Sequence, residues 1–381
     1  MNENRLNKIP LSRPTVLGSE LDYVAQSLEQ GHLAGDGKFS RLCHGLIEQI
    51  TGSPKALLTH SCTGALEMMG LLIDLKPGDE VILPSFTFVS TANAIVLRGA
   101  TPVFVDIDPN TLTIDPVAAA AAITPRTRAI TAVHYAGIAA DMDPLREIAD
   151  RHELVLFEDA AQAMGSAYRG RPCGSLGDLG AISFHETKNV VSGEGGALTV
   201  NNSRFAERAE IIREKGTNRS KFLRGEIDKY TWVDVGSSYL PSELVAAFLY
   251  AQLQQIEQIN AIRRGIFDRY MDAFQHLVAQ GRVTLPTVPG DRQSNGHIFY
   301  LLLHDLADRD RFMDHMRQHA VSSAFHYVPL HDAPAGLRFG RTSGELIHTQ
   351  RTYERLVRLP NFHDLGDGVD RVLDAALAYF A

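Results

Sequence analysis

The chain has 381 residues with 37 basic and 45 acidic side chains, a formal net charge of −8. This acidic balance argues against a nucleic-acid-binding protein, which usually carries a basic excess or a basic stripe. Hydrophobic residues make up 44% and charged residues 22%, an ordinary globular composition in a chain long enough for one large and one smaller domain.

Between residues 55 and 200 the sequence alternates between short apolar runs and stretches with helical periodicity. The predicted strands cover residues 56–58, 81–83, 103–106, 129–133, 154–159, 181–184 and 197–200. The predicted helices between them cover residues 63–73, 87–97 and 144–152. This alternation predicts an α/β fold with a mostly parallel, doubly wound sheet. The last two strands are too close for a crossover helix, so we expect part of the sheet to be antiparallel.

The second half of the chain predicts a long helix and then a smaller domain. Apolar residues recur at helical spacing over residues 241–270, and Ser242 is a candidate N-cap. A strand, a helix and a second strand are predicted at residues 299–303, 310–319 and 324–328, before a terminal helix. We therefore predict a large α/β domain over residues 1–275 and a smaller C-terminal α+β domain over residues 276–381.

Two candidate chemical groups follow predicted strands. Lys188 lies just past the strand at residues 181–184 and before the glycine-rich turn at residues 192–196. Asp159 ends the strand at residues 154–159, at the edge where α/β proteins bind ligands. Taken singly, a lysine beside a turn is more typical of a solvated surface residue, and Asp159 is equally a candidate cap for a following helix.

Two further elements lie upstream of these groups. Residues 60–67 (HSCTGALE) follow a strand and open a helix with small residues, where free N–H groups and the helix dipole can hold a phosphate. Residues 84–90 (PSFTFVS) place two phenylalanines at the top of the next strand. Helix capping and core packing are the ordinary explanations of such features when each occurs alone.

Pyridoxal phosphate (PLP) chemistry needs all four elements together. A lysine amine forms a Schiff base with the cofactor, and a carboxylate keeps the pyridine nitrogen protonated so that the ring acts as an electron sink. N–H groups and hydroxyls hold the phosphate, and an aromatic side chain stacks on the ring. The sequence supplies these four elements in the order phosphate-binding turn, aromatic side chain, carboxylate and lysine. This ordered set predicts a PLP enzyme with Lys188 as its catalytic residue.

This ordered set resembles the sugar aminotransferases of the DegT/DnrJ/EryC/StrS family, over about residues 14–380. The most specific runs are PSFTFVSTANA, SFHETKN, EIIREKGTNRS and GSSYL at residues 84–94, 183–189, 210–220 and 236–240. The resemblance implies the type I fold of PLP-dependent aminotransferases. It also implies a homodimer whose subunits share their active sites.

The resemblance implies roles for individual residues. The implied cofactor-binding residues are Thr63, Gly64, Phe86, Asp159, Gln162, Ser183, Lys188 and Ser238. Lys188 matches the Schiff-base lysine, Asp159 the partner of the pyridine nitrogen, and Gln162 the residue near the phenolic oxygen. Thr63 and Gly64 match a phosphate-binding pair, Ser183 a phosphate-binding hydroxyl, and Phe86 the stacking ring.

Ser238 departs from the pattern of the family. Many members have an asparagine at this position, which reaches the phosphate of the cofactor in the neighbouring subunit. Because serine is shorter, we expect the contact between subunits to be shorter or differently made.

Substrate-binding candidates lie outside these motifs. Residues 213–229 carry six basic side chains and predict either a solvated loop or a clamp for the diphosphate of a nucleotide sugar. Arg219 and Lys221 are the candidates for such a clamp, placed across the dimer interface. His326 begins a run that resembles the approach of the family to its sugar pocket, whereas His331 is equally typical of a core or surface histidine. The histidines show neither HExxH nor paired-cysteine spacing, so no metal site is predicted.

By resemblance, we expect L-glutamate to aminate dTDP-4-dehydro-6-deoxy-D-glucose to dTDP-4-amino-4,6-dideoxy-D-galactose. The product would serve a surface glycan, such as enterobacterial common antigen or O-antigen. One alternative is another nucleotide-sugar aminotransferase, acting at C3 or with the other stereochemistry at C4. The second alternative is a non-catalytic PLP-binding regulator. Dehydrating relatives replace the lysine with histidine, so Lys188 disfavours that chemistry.

Three cysteines without CxxC spacing are too few for a disulfide framework, so we expect reduced thiols in a cytoplasmic protein. Residues 1–16 contain no apolar stretch typical of a secretory signal. No apolar run approaches the roughly 18 residues that a membrane span needs, so we expect no membrane association.

Overall fold

The structure is a computed structural model that describes residues 8–381. Part of the N-terminal stretch in which no secretory signal is predicted therefore lies outside the described residues. The strands are β1 (Ala56–Thr59), β2 (Glu80–Pro84), β3 (Thr101–Val105), β4 (Thr127–Val133), β5 (Val155–Asp159), β6 (Ala167–Tyr168), β7 (Arg171–Pro172), β8 (Leu179–Ser183), β9 (Gly196–Val200), β10 (Arg292–Gln293), β11 (Phe299–Leu302), β12 (Arg341–Thr342) and β13 (Leu356–Leu359).

The helices pack around these strands. They are α1 (Glu20–Glu29), α2 (Lys38–Thr51), α3 (Cys62–Leu72), α4 (Val89–Val96), α5 (Pro116–Ala121), α6 (Met142–Arg151), α7 (Ala206–Arg213), α8 (Arg219–Leu223), α9 (Glu243–Gln254), α10 (Ile256–Ala279), α11 (Leu306–Gln318), α12 (Pro334–Phe339), α13 (Ile347–Arg355) and α14 (Gly368–Phe380). None of the described helices is both long and apolar enough to cross a membrane.

The central sheet has eight strands in the order β1-β9-β8-β5-β4-β2-β3-β12. The pairs from β8 through β12 are parallel, whereas β9 is antiparallel to both of its neighbours. Each strand predicted between residues 55 and 200 overlaps a strand of this sheet. Both the mostly parallel topology and the antiparallel pair near residue 200 are therefore confirmed.

Apolar side chains on both faces of each central strand explain why the sheet is doubly covered. On β2, Ile82 faces a core that contains residues of α2, α6 and α9, while Val81 and Leu83 face a core with α3, α4 and α7. On β5, Leu156 and Phe157 divide between the same two cores. Successive strand residues point to opposite faces, so a continuous apolar run requires cover on both sides.

The helix predicted over residues 241–270 is in fact two helices, α9 and α10. The chain breaks at Gln255, whose backbone angles of φ −110° and ψ 11° are not helical. Ser242 caps α9 as predicted, since its Oγ accepts a hydrogen bond from the Val245 N–H. α9 packs on the central sheet, and Ile256 and Ile259 at the start of α10 belong to the same core. The rest of α10, from Ile266 onwards, packs in the C-terminal core.

The C-terminal core surrounds the antiparallel pair β11–β13, with α11 and α14 against it. The predicted boundary between residues 275 and 276 falls within α10, whose Phe267 and Phe274 belong to this core. The strand predicted at residues 324–328 is wrong, because only Ala324 forms a bridge, to Arg358. The short strand β12 joins the edge of the central sheet. The strands β6, β7 and β10 form a separate small sheet.

Candidate active site

A cavity of about 530 Å³ opens at the carboxyl ends of the parallel strands, within the range of about 300–1,000 Å³ typical of ligand pockets. Turns after β1, β2, β5 and β8 form its walls, together with segments of the C-terminal half. The predicted site residues that line it are Thr63, Asp159, Gln162, Ser183, Lys188 and His326. These residues are far apart in sequence, and the parallel topology brings them to one edge of the sheet.

Lys188 lies in the turn after β8, where its N–H donates to the His185 carbonyl at 2.9 Å. Burial lowers the pKa of the Lys188 amine, although Cys62 and Asp159 in the same cavity act in the opposite direction. The lowered pKa increases the fraction of neutral amine. The neutral amine is the form that attacks a carbonyl or accepts a proton.

Asp159 ends β5 and is buried, with two hydrogen bonds that fix its carboxylate. Oδ2 accepts from the Thr91 hydroxyl at 2.7 Å, and Oδ1 accepts from the Ala161 N–H at 3.2 Å. The residues that follow form turns rather than a helix, so Asp159 is not a helix cap. The neighbouring Glu158 is fully buried and accepts hydrogen bonds from the N–H groups of the loop at residues 174–177, which anchors this end of the strand.

The turn after β1 leads into α3, as expected for the phosphate-binding turn predicted at residues 60–67. Ser61 caps the helix, and its Oγ accepts from the Gly64 N–H at 3.1 Å. The Thr63 hydroxyl hydrogen-bonds to the Ser90 hydroxyl at 2.8 Å, and both residues line the cavity. Gly64 does not line it, and a Cβ there would lie only 2.8 Å from the His60 ring, so this glycine serves close packing. Its predicted contact with a phosphate stays a prediction.

The assignment of Phe86 as the stacking ring needs correction. Phe86 is completely buried in a core cluster, with its ring centroid 4.9 Å from that of Tyr135, and it does not line the cavity. Phe88, two residues further on, is 55% exposed and does line the cavity. Phe88 is therefore the candidate for stacking, and Phe86 supports the wall behind it.

Aromatic groups from the C-terminal half extend this wall. Gln162 accepts from the Ala136 N–H at 2.6 Å and donates to the Tyr327 hydroxyl at 2.9 Å, so its amide is held in one orientation. His326 lines the cavity, where its Nδ1 hydrogen-bonds to the Tyr135 hydroxyl at 3.1 Å. Burial lowers the pKa of His326 well below its ordinary value, so it is a neutral ring in this site.

His331 lies elsewhere, hydrogen-bonded to the Ser85 hydroxyl at 2.7 Å. It is absent from the wall of the cavity, in agreement with an ordinary structural histidine. Across residues 8–381, no group of three or more His, Cys, Asp and Glu side chains is placed to hold a metal ion.

Arg263, His297 and Arg358 also line the cavity, and the sequence patterns did not single them out. Arg263 comes from α10, which the sequence predicts in part by its apolar residues, and Arg358 comes from β13, which the sequence analysis does not predict. Burial lowers the pKa of Arg263 to about 9 and lowers that of Arg358 as well. No spacing within the sequence connects these side chains to Lys188, which is why they were missed.

The remaining predicted residues lie outside this cavity. Arg219 and Lys221 lie on α8, where Arg219 forms an ion pair with Glu214 at 3.3 Å and Lys221 forms one with Glu207 at 2.6 Å. Ser238 is exposed and forms a bridge to Glu214. Their predicted roles involve a second subunit and stay predictions.

The groups in this cavity fit pyridoxal phosphate. Lys188 supplies an amine whose pKa is lowered by burial, Asp159 a fixed carboxylate, the N-terminus of α3 an anion-binding end, and Phe88 an exposed ring. Fold and site together define a PLP-dependent enzyme with an α/β fold.

Comparisons with known proteins agree with this class and identify the family. Residues 15–376 match the model of the DegT/DnrJ/EryC1/StrS aminotransferase family, and the chain belongs to this family. It is 33% identical to the spore coat polysaccharide biosynthesis protein SpsC of Bacillus subtilis, over 98% of each chain.

Solved structures show the same fold over the whole length. The aminotransferase TlmJ from Streptoalloteichus hindustanus has a TM-score of 0.90 and 30% identity, covering 98% of this chain and 99% of its own. Spr1654 from Streptococcus pneumoniae, solved in a PLP-form and a PMP-form, has a TM-score of 0.89 and 25% identity for the PLP-form, with 98% of each chain covered. The protein is therefore a PLP-dependent aminotransferase of a family that acts on sugars.

Proposed function

We propose that the protein transfers the amino group of L-glutamate to C4 of dTDP-4-dehydro-6-deoxy-D-glucose and forms dTDP-4-amino-4,6-dideoxy-D-galactose. The product would enter a surface glycan of the enterobacterial common antigen or O-antigen type. The observation that carries the chemistry is the convergence of Lys188 and Asp159 in one cavity. The choice of sugar is supported by the runs at residues 84–94 and 183–189, which resemble those of the transaminase WecE.

The residues of the chain have separate tasks in this reaction. Bound PLP supplies the electron sink that stabilises negative charge at the substrate carbon. In the first half-reaction Lys188 Nζ would move the proton from the α-carbon of glutamate to the cofactor, and in the second it would move a proton from the cofactor to C4 of the sugar, for which a lowered pKa suits it. Asp159 would hold the pyridine nitrogen protonated, and Thr63 and Ser183 would bind the phosphate.

The proposal includes a cytoplasmic homodimer in which Ser238, Arg219 and Lys221 of one subunit approach the active site of the other. All three lie on the segment between α7 and α9, which also exposes the large side chains of Phe222, Tyr230 and Trp232. An exposed segment of this kind is suited to contact with a second copy.

The experiment that tests the proposal is incubation with glutamate and dTDP-4-dehydro-6-deoxyglucose, followed by NMR assignment of the product. A 4-amino sugar with galacto configuration is expected. A 3-amino sugar, or the gluco epimer of the 4-amino sugar, would contradict the proposed activity and would show that the protein is a different nucleotide-sugar aminotransferase. If glutamate leaves the absorbance band of the bound cofactor unchanged, the protein is instead a PLP-binding regulator.

A further inference from the structure

His297 lies in the cavity wall and is held by both its backbone and its ring. Its N–H donates to Asn295 Oδ1 at 3.0 Å, and its carbonyl accepts from Arg263 Nη2 at 2.8 Å. Its ring Nδ1 hydrogen-bonds to Asn189 Oδ1 at 2.9 Å. Because Asn189 directly follows Lys188 in the chain, this last contact places the imidazole beside the turn that carries the reacting amine.

The orientation of the Asn189 amide fixes the tautomer of this ring. Asn189 Nδ2 donates to the Asn295 carbonyl at 3.0 Å and to Asn260 Oδ1 at 2.8 Å. A backbone carbonyl can only accept, so this side of the amide is its NH2 group and the side that faces His297 is its oxygen. An amide oxygen also can only accept, so the hydrogen of this bond is on His297 Nδ1. All four residues are buried, so water does not compete for these bonds.

The other ring nitrogen of His297, Nε2, is a hydrogen-bond acceptor without a partner. Burial lowers the pKa of His297 well below its ordinary value, so the ring is neutral and Nε2 keeps its lone pair. The ionisable groups around the ring act in the same direction, and they are Lys188, Arg263, Arg358 and His326. Among residues 8–381, no donor bonds to Nε2, yet the atom is not fully buried, so it is open to the cavity that the ring lines.

A ligand that fills the cavity has to offer Nε2 a hydrogen-bond donor, because an acceptor that loses water without gaining a partner is costly to bury. Glutamate has only one donor group, its ammonium, and that nitrogen is the atom that is transferred. Its two carboxylates only accept. A keto sugar carries a hydroxyl on a carbon next to its carbonyl, and a hydroxyl can donate to a neutral imidazole. The sugar is therefore the substrate whose chemistry suits this acceptor.

We infer that His297 is a specificity residue for the sugar: its Nε2 accepts a hydrogen bond from the hydroxyl on the carbon next to the reacting carbonyl, and Asn189 holds the ring in the tautomer that can do so. This inference rests on the proposed function because it needs a keto sugar as substrate, but it holds whether the carbonyl is at C3 or at C4. It assigns the recognition of one hydroxyl group to His297 and makes Asn189 a positioning residue.

The tautomer is measured on the holoenzyme with isotope-labelled histidine. Long-range proton–nitrogen correlation spectra distinguish a protonated from an unprotonated ring nitrogen, and the signals of His297 are those missing from the His297→Asn variant. Nδ1 should be protonated and Nε2 unprotonated before any sugar is added. Both tautomers should appear in Asn189→Ala, which removes the acceptor of the Nδ1 hydrogen. A wild-type ring with its hydrogen on Nε2, or with both nitrogens protonated, would overturn the inference.

Two substitutions separate the two ring nitrogens. Asparagine places its amide near the position of Nδ1 and glutamine near that of Nε2, so His297→Asn loses the acceptor in the cavity while His297→Gln keeps one. In single-turnover absorbance measurements, His297→Asn should lower the rate constant divided by Kd for dTDP-4-dehydro-6-deoxyglucose about 3- to 10-fold, the contribution of one neutral hydrogen bond, and leave that for glutamate unchanged. His297→Gln should retain more of the wild-type value, which covers the case in which the asparagine variant fails to fold.

The matched control is His315→Gln, which should behave as wild type with both substrates. His315 is on α11, hydrogen-bonds through Nε2 to the Ala375 carbonyl at 2.9 Å and does not line the cavity.

A sugar analogue identifies the group that His297 binds. The same nucleotide sugar without its C3 hydroxyl should react about 3- to 10-fold more slowly with the wild-type enzyme. His297→Asn should not distinguish the two sugars, because the partner of the hydroxyl is already gone. Additive losses from the two changes would overturn the inference, and so would a His297→Asn loss that is equal for both substrates or confined to glutamate. A wild-type holoenzyme that reacts with glutamate but aminates no keto sugar nucleotide would contradict the proposed function itself, and the inference with it.

Discussion

The Thr91 hydroxyl donates a 2.7 Å hydrogen bond to Asp159 Oδ2, which joins the first turns of α4 to the end of β5. Thr91 in turn hydrogen-bonds to the Thr87 hydroxyl at 2.9 Å, and Asp159, Thr87 and Thr91 are all buried. The chain of hydroxyls fixes the rotation of the carboxylate before any ligand binds. A carboxylate fixed in this way meets the pyridine nitrogen without a further loss of conformational freedom.

Thr91→Val removes this hydroxyl while nearly keeping the side-chain volume. We expect a loss of about tenfold in turnover, since one hydrogen bond to a charged group contributes about 1.5–3 kcal/mol, and a larger loss for Asp159→Asn, which removes the charge itself. Steady-state kinetics of the reconstituted enzymes measure both. Thr113→Val is the control, because Thr113 belongs to a similar buried hydroxyl pair with Thr111, 2.8 Å apart, and does not line the cavity. Equal effects of Thr91→Val and Thr113→Val would assign Thr91 to stability alone.

Lys188→Ala should abolish turnover and leave the cofactor bound only non-covalently. The physical reason is that Lys188 is the amine of the cavity whose lowered pKa suits both covalent attachment and proton transfer. Borohydride reduction of the wild-type holoenzyme, followed by peptide mass analysis, locates the attachment. A phosphopyridoxyl group on another lysine would refute the assignment.

Some features of this site follow from the sequence and others do not. Lys188 and Asp159 are predictable because each follows an apolar run that has to be a buried strand. The choice between Phe86 and Phe88 is not predictable, because β2 ends at Pro84 and the turn beyond it sets which ring faces the cavity. Arg358 is a single polar residue in an apolar run, and only the docking of the C-terminal domain brings it to Lys188.

The two phenylalanines should respond differently to substitution. Phe88→Ala removes an exposed ring at the cavity wall, so it should weaken cofactor binding about tenfold, at about 1–2 kcal/mol for aromatic stacking, with little change in stability. Phe86→Ala opens a hole in a completely buried cluster, so it should lower the free energy of unfolding by about 3–5 kcal/mol. Cofactor titration of the apoenzyme and thermal unfolding separate the two effects. If Phe86→Ala weakens the cofactor while Phe88→Ala does not, the original assignment of the stacking ring was right.

Glu80 should make the stability of the protein depend on acid pH. It is buried at the start of β2 and accepts hydrogen bonds from Arg341 of β12, Thr124 and Arg126. The bond from Arg341 is the largest cause that lowers the pKa of Glu80 from 4.5 to about 2. A carboxyl whose pKa is lower in the folded state stabilises the fold at pH values above its unfolded pKa. That stabilisation is lost as the pH falls from 4.5 towards 2.

Glu80→Gln should therefore lower the free energy of unfolding by about 2–3 kcal/mol at pH 7, and the difference from wild type should shrink as the pH falls below 4.5. Urea denaturation at a series of pH values measures this difference. Asp74→Asn serves as the control, because Asp74 is exposed and its pair with Arg208 should contribute little. A Glu80→Gln effect that is independent of pH would mean that packing, and not charge, holds β12 on the sheet.

Arg219→Ala should raise the KM for the sugar nucleotide by about tenfold or more, since a charged partner of the diphosphate is lost. The glutamate half-reaction should barely change, because glutamate carries no diphosphate. Within its own chain, Arg219 pairs with Glu214, which also pairs with Lys215 at 3.0 Å, so removal of the arginine does not leave that acid unpaired.

Arg317→Ala, at an exposed arginine on α11, controls for the loss of one surface charge. Steady-state kinetics for the sugar nucleotide and single-turnover absorbance with glutamate give the two values. Equal weakening of both half-reactions would make the segment structural, and no change in either would make Arg219 part of a solvated charge cluster.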